Sequence, residues 1–262
     1  MKDNVDSGTS HVSHLAERIK EIKNSIADEY RQQQDNRPWV IAFSGGKDST
    51  VLLQMVWLAV LSVPAEERTR PMHLVCNDTR VENPVVAKYN NLVLKRLKRA
   101  CEELQFPLTV TQTTPKLADS FWVNLLGKGY AAPNSSFRWC TPRLKIDPTT
   151  AFIKSKFDQG KGVVILLGTR SAESSSRARS LKDHQVSGSI YRKHSSLPEA
   201  VVYAPIEKLT TDEVWQYLSS VRPPWGGSHR ELITLYSSAS DKECPIIVDT
   251  SINVCGGSRF GC

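Results

Sequence analysis

Two hydrophobic runs separated by a short glycine-containing polar turn constrain this chain more than any other feature: Trp39 to Leu53 reads WVIAFSGGKDSTVLL. The run VIAF shows no polar alternation, and neither does VVILL at 163–167. Strands apolar on both faces belong to parallel sheets covered by helices on each side. Strand-like runs recur at Trp39–Ser44, His73–Asp78, Leu108–Thr114, Gly162–Thr169 and Val201–Ala204, with helical patterns between several of them. That alternation predicts an α/β fold, a parallel twisted sheet flanked by helices.

Three further segments shape the expected organisation. Val12, Leu15, Ile19, Ile22, Ile26 and Tyr30 recur at the spacing of one helix face, which predicts an N-terminal helix within 1–36, capped by Ser10 or Ser13. Residues 37–222 form the α/β domain, interrupted near 171–196 by a mobile loop rich in serine and basic residues (Arg177, Arg179, Lys182, Arg192, Lys193). That loop reads either as a guide for a polyanion or as a plain insertion. A C-terminal cysteine-containing extension, 223–262, begins at the Pro223-Pro224 pair. Thr210 with Glu213 reads as a capping box opening a helix. The helical segment Val85–Leu104 carries Lys88, Lys95, Arg96, Lys98 and Arg99, read as a solvated face.

The net charge of +7 favours an anionic partner without specifying it. The polar N-terminus lacks the apolar core of a secretory signal. The longest apolar stretch, Val51–Val63, is broken by Gln54 and Ser62 and is too short for a bilayer, so the expectation is a cytoplasmic protein with no membrane partner. Six cysteines do not make a disulfide framework in a chain of this size. Cys76 and Cys101 sit in apolar patterns and read as small buried hydrophobes, whereas Cys140, Cys244, Cys255 and Cys262 lie in polar surroundings.

The turn SGGKDS joins a strand to a helix, where exposed first-turn N–H groups and the helix dipole favour an anion. Gly45 and Gly46 allow close backbone approach, Lys47 adds positive charge, Ser44 and Ser49 add hydroxyls, and Asp48 is placed to hold Mg²⁺ or to orient the lysine. It is not a Walker A loop, which would need glycine at Ile41 and a hydroxyl residue at Asp48. It is not the dinucleotide fingerprint either, since its two glycines are adjacent.

SGGKDS after a hydrophobic strand resembles the pyrophosphate loop of the ATP pyrophosphatase and phosphoadenylylsulfate reductase superfamily. The resemblance implies the adenine nucleotide alpha hydrolase-like (PP-loop) fold, ATP as cofactor, and a loop that grips the β and γ phosphates while an acceptor attacks the α phosphate. VCNDTRVENP implies that Asp78 and Thr79 face the nucleotide. LLGTRSAES adds Gly168 to the nucleotide contacts and Arg170 as a candidate contact with substrate anions. RWCTPRLKIDP resembles the cysteine block of the reductase branch, with Trp139 where iron–sulfur members carry a second cysteine; Cys140 reads as a candidate sulfur carrier or cluster neighbour whose thiolate Arg138 and Arg143 would favour, or as a structural thiol.

PPWGGSHRELITLY and ECPIIVDTSINVCGGSRFGC are similar to the sulfurtransferases of DNA phosphorothioation. That similarity implies DNA as substrate, a cysteine desulfurase as sulfur donor, other phosphorothioation proteins as partners, and a [4Fe-4S] cluster. Cys244, Cys255 and Cys262 would ligate it, and the chain is expected to stop before the fourth cysteine. Three alternatives stay open: a sulfonucleotide reductase, against which Glu243-Cys244-Pro245 counts because it departs from the Glu-Cys-Gly context of reductases; a tRNA thiolase; and a non-catalytic nucleotide-sensing scaffold.

Overall fold

The computed structural model describes residues 6–32, 34–134, 137–157, 162–171 and 189–238, with side chains from residue 14 onward. The expected strands form as β1 (Trp39–Ala42), β2 (Met72–Asn77), β3 (Leu108–Thr113), β4 (Val163–Leu166) and β6 (Ala200–Tyr203), and all of their pairings are parallel. A sixth strand, β5 (Arg192–Lys193), pairs antiparallel with β6 and was not expected. It lies where the sequence suggests only a basic loop. Two charged residues carry no strand pattern, so the ladder with β6 and the Arg192–Glu207 ion pair, not local propensity, define it. The rest of that loop, 172–188, lies outside the described residues, as do Cys244, Cys255 and Cys262.

The order β3-β2-β1-β4-β6-β5 carries the chain from the centre to one edge and then back across β1. Between β1 and β4 the winding direction reverses, so the segments leaving their carboxyl ends diverge and open a crevice, the usual place for ligands in such sheets.

Apolar residues on alternate positions feed two cores. Trp39, Ile41, Met72, Leu74, Cys76, Val164 and Leu166 join the large cluster with α2 (Lys47–Leu61) and α3 (Pro84–Glu103). Val40, Val75, Val163 and Ile165 meet α4 (Asp147–Lys154) in the smaller one. The N-terminal helix α1 runs Asp6–Tyr30, so Ser10 and Ser13 fall inside it instead of capping it, and Leu15, Ile19, Ile26 and Tyr30 pack into the large core. Asn83 caps α3 by accepting from Val85 N at 2.9 Å, with Pro84 at the first helical position. The capping box forms as read: Thr210 and Glu213 bond reciprocally at the start of α5 (Thr211–Ser220).

Residues 223–238, the described part of the expected extension, belong to the same core as the sheet. Trp225 meets Trp57 of α2, and α6 (Arg230–Ser238) buries Leu232. His229 is 5% exposed and shares a 2.7 Å hydrogen bond with Gln54 Oε1, whose amide donates to Arg222 O at 2.9 Å. This chain of bonds ties the turn before α6 to the middle of α2.

Burial pushes the His229 pKa from 6.5 down to about 4. The unfolded chain therefore binds a proton that the folded chain refuses, and stability that is complete above pH 6.5 is lost as pH falls toward 4. The expected contribution of this one group is about 2 kcal/mol. Urea unfolding of the wild type and of His229→Gln at pH 7 and pH 4.5 checks it: the wild type should lose more stability than the variant by about that amount.

Candidate functional site

The loop between β1 and α2 lies earlier in the chain than the sequence suggests: β1 stops at Ala42 and not at Ser44, and α2 opens at Lys47, leaving Phe43 to Gly46 as the connection. Gly45 has φ +75, a conformation that L side chains rarely adopt, and a Cβ there would lie 1.7 Å from Asn90 Oδ1. Asn90, from α3, fills the space beneath the loop and its amide donates to Ser44 O at 3.4 Å. Ser44 and Ser49 hydroxyls lie 3.1 Å apart, Ser49 Oγ donates to Gly46 O at 3.0 Å, and Gly46 N donates to Ser44 Oγ at 3.4 Å. The two serines thus brace the turn internally. Gly46 offers α2 no side-chain cap, so the Lys47 N–H of the first turn takes its acceptor from another element.

Gly168 follows β4 across the switch point. A Cβ at this position would lie 2.9 Å from the carbonyl carbon and oxygen of Asp48 and 3.0 Å from Ser49 N, so only glycine lets the two segments touch. Two residues on, Arg170 is 1% exposed, and its Nε donates to Asp48 Oδ1 at 2.7 Å. Its other nitrogens donate to Leu209 O at 3.1 Å and to Thr211 Oγ1 at 3.3 Å and 3.4 Å. The guanidinium is therefore committed to protein acceptors. Where the sequence suggests a contact with substrate anions, the fold places Arg170 behind the loop as the residue that orients Asp48.

The second oxygen of Asp48 lies 3.1 Å from Lys47 Nζ. Both carboxylate oxygens are thus shared with cations, and no group of three His, Cys, Asp or Glu side chains among the described residues could hold a metal. The residues of the loop do not fit a Mg²⁺ site of their own, because a divalent cation at Asp48 would sit against the Lys47 and Arg170 charges. Asp48 orients the lysine instead.

Other candidates are placed less directly. Asp78 lies at the carboxyl end of β2, where Oδ1 accepts from Arg80 N at 2.8 Å, and Thr79 is 1% exposed with its hydroxyl unpartnered among the described residues. Glu82 in the same turn is held above the usual carboxylate range by burial, with Asp78 adding to the effect. Cys140 is buried with Phe121, Trp139 and Leu144, and Val81, Leu125 and Tyr130 pack on that cluster. The fold wraps this thiol in aromatic and aliphatic side chains, the setting of a structural cysteine, while Arg143 donates to Asp119 at 2.8 Å and to Tyr130 at 3.0 Å. Cys76 is the small buried apolar filler expected, whereas Cys101 is only half-buried against the same core; burial pushes both thiols up to about 12.

Three residues at the loop are not signalled by the sequence: Asn90, Thr211 and Tyr236 of α6. The Tyr236 hydroxyl accepts from Lys47 N at 3.2 Å and its ring centroid lies 5.3 Å from Lys47 Nζ. No local pattern announces them, since each reaches the loop through tertiary packing.

With this geometry in place, comparison with known proteins adds the following. Residues 38–224 match the family described as phosphoadenosine phosphosulfate reductase domain. An uncharacterized protein of Methanocaldococcus jannaschii is 24% identical over 189 residues, covering 72% of this chain, and the chain spans only 33% of that relative's length. Among solved structures, phosphoadenylyl-sulfate reductase from Candida auris, as a phosphate complex, aligns at TM-score 0.47 and 14% identity, over 79% of this chain and 85% of that one. The NH3-dependent NAD synthetase of Campylobacter jejuni aligns at TM-score 0.48 and 13% identity, over 84% and 76%.

Gly168→Ala tests the closeness of the two crossing segments. The added methyl meets backbone, which cannot swing aside, and the expected cost is about 1–3 kcal/mol in stability. Displacing Asp48 and Ser49 should also weaken binding of inorganic pyrophosphate, read by calorimetry, by about tenfold or more.

Proposed function

Because the chain belongs to the phosphoadenosine phosphosulfate reductase domain family, we propose that its loop seats the phosphate tail of ATP and that the protein acts as an ATP pyrophosphatase in DNA phosphorothioation. In this reading a non-bridging oxygen of a DNA backbone phosphate attacks the α-phosphorus of ATP. The bond from that phosphorus to the bridging oxygen breaks, and pyrophosphate leaves with the electron pair. AMP then remains on the DNA phosphate as a mixed anhydride; the terminal sulfur of a persulfide formed by a cysteine desulfurase displaces AMP at the DNA phosphorus, and thiol reductants cleave the resulting S–S bond, leaving the phosphorothioate and a disulfide. One non-bridging oxygen is thereby exchanged for sulfur.

The observation that carries the reading is the charge arrangement at the start of α2. Negative charge builds up on departing pyrophosphate, and Lys47, held by Asp48 at 3.1 Å, lies at the helix N-terminus where that charge would collect. Arg170 fixes Asp48 from behind, so the ammonium group is positioned before the reaction and not during it. Ser44, Gly45, Gly46 and Ser49 complete the cradle, with Asp78, Thr79 and Gly168 around it. Cys244, Cys255 and Cys262 are the proposed ligands of an iron–sulfur cluster, the adenylyl-transfer step does not involve them, and Cys140 is retained as a proposed sulfur-handling residue only if its cluster opens. The proposal includes DNA, the desulfurase and other phosphorothioation proteins as partners, in the cytoplasm. No helix among the described residues is long and apolar enough to cross a membrane.

A sulfonucleotide reductase is the second reading, favoured by the family's description. It requires a catalytic cysteine, and Pro245 after Cys244 stands where the reductase pattern has glycine. A reductase would bind nucleotide without cutting its phosphoanhydride, so the two readings separate on one measurement.

Pyrophosphate release from ATP, followed with DNA, with tRNA and with neither, provides it. The wild type should release pyrophosphate in a DNA-stimulated manner. Lys47→Ala should fold normally by circular dichroism yet release it roughly a hundredfold more slowly, about 3 kcal/mol in the transition state. Equal release by the variant refutes the role of Lys47, and stimulation by tRNA alone refutes the DNA assignment.

A further inference from the structure

Tyr236 touches the loop at Lys47 and lies close against Gly46. Its hydroxyl accepts the Lys47 backbone N–H at 3.2 Å, its ring lies 5.3 Å from Lys47 Nζ, and its oxygen is 3.2 Å from where a Cβ on Gly46 would stand. The residue comes from α6, far along the chain, and is held on its other side by the edge of Trp215 with ring centroids 4.9 Å apart. The helix is anchored to the body through buried Leu232 and the 3.5 Å pair between Glu231 and Arg96. Tyr236 therefore reaches the loop from a well-supported element.

The Lys47 N–H belongs to the first turn of α2 and has no acceptor within its own helix. It is one of the donors that a helix N-terminus offers to a phosphate oxygen. One N–H does not make good linear bonds to two acceptors at once. A hydroxyl oxygen that takes this donor therefore competes with a phosphate oxygen for it. The ring acts differently: it lies against the ammonium group and helps keep Lys47 at the mouth of the loop whichever acceptor the backbone serves.

Resting on the nucleotide reading of the loop, we propose that Tyr236 is a positioning residue of the phosphate site and acts as its latch. Its hydroxyl holds the Lys47 N–H and yields it to the phosphate tail of the nucleotide, and its ring retains the Lys47 side chain throughout. Phosphate binding thus exchanges one hydrogen bond for another and turns the Tyr236 hydroxyl away from the Lys47 N–H, which shifts the ring against Trp215 without releasing Lys47 Nζ.

The test is calorimetric titration of inorganic pyrophosphate into the wild type, Tyr236→Phe, Tyr236→Leu and Lys47→Ala, together with tryptophan emission of the wild type and Trp215→Phe. Tyr236→Phe removes the competing oxygen and keeps the ring, so it should bind pyrophosphate about two- to tenfold more tightly. Tyr236→Leu, which also loses the contact with the ammonium group, should bind more weakly than Tyr236→Phe. Pyrophosphate should change the emission of the wild type and leave that of Trp215→Phe unchanged. Weaker or unaltered binding by Tyr236→Phe overturns the latch while leaving the loop's role intact, provided that the wild type binds and Lys47→Ala does not. If the wild type itself fails to bind pyrophosphate, the nucleotide reading and the latch fall together.

Discussion

A single carboxylate organises the crevice. Asp48 is the second residue of α2, and its oxygens face Lys47 from its own turn and Arg170 from the segment after β4. Arg170 is buried, so its charge has lost most of its hydration and depends on Asp48, Leu209 O and Thr211 Oγ1 to replace it. Removing one partner of such a group leaves an uncompensated charge at a cost of about 3–5 kcal/mol. One guanidinium therefore locks three elements to each other: the loop after β1, the strand end after β4 and the start of α5. The capping box at Thr210 makes the last of these rigid in its own right.

That lock depends on steric absences as much as on charge. Gly168 brings the β4 segment to van der Waals distance from the Asp48 backbone, and Gly45 accepts both a positive φ and the Asn90 side chain where its own Cβ would be. The serines then close the turn on itself through hydroxyl bonds. With its backbone fixed this way, the loop presents its N–H groups in one arrangement, which is the condition for electrostatic stabilisation without reorganisation.

How much of this the sequence discloses follows from how local each signal is. The central strands β1 and β4 are legible because burial on both faces leaves the unbroken apolar runs VIAF and VVILL. The loop is legible because its glycines, lysine and acid lie within one turn. Thr210 and Glu213 are legible for the same reason. The two-residue β5 is not, because its pairing with β6 is set by the tertiary ladder. Arg170 is found by position but not by direction: only the fold shows that its side chain turns back toward Asp48 and not outward. Around Cys140 the flanking arginines and Trp139 are legible in the sequence, but Phe121, nineteen positions away, joins Trp139 in enclosing the thiol only when the chain folds. Asn90 and Tyr236 reach the loop from α3 and α6, and no window of the sequence contains both a residue of the loop and either of them.

The charge balance explains why this arrangement suits an anion in particular. Lys47 and Arg170 bring two positive charges to a single carboxylate, and the N-terminus of α2 adds roughly half a charge more of the same sign. Because Arg170 already satisfies one oxygen of Asp48 from the buried side, the excess lies on Lys47 and the first-turn N–H groups, which face the crevice. A second cation would raise that excess, whereas a phosphate tail would neutralise it. The polarity of the site is thus set by which side of Asp48 is buried, and that in turn is set by the point at which the chain reverses its winding between β1 and β4.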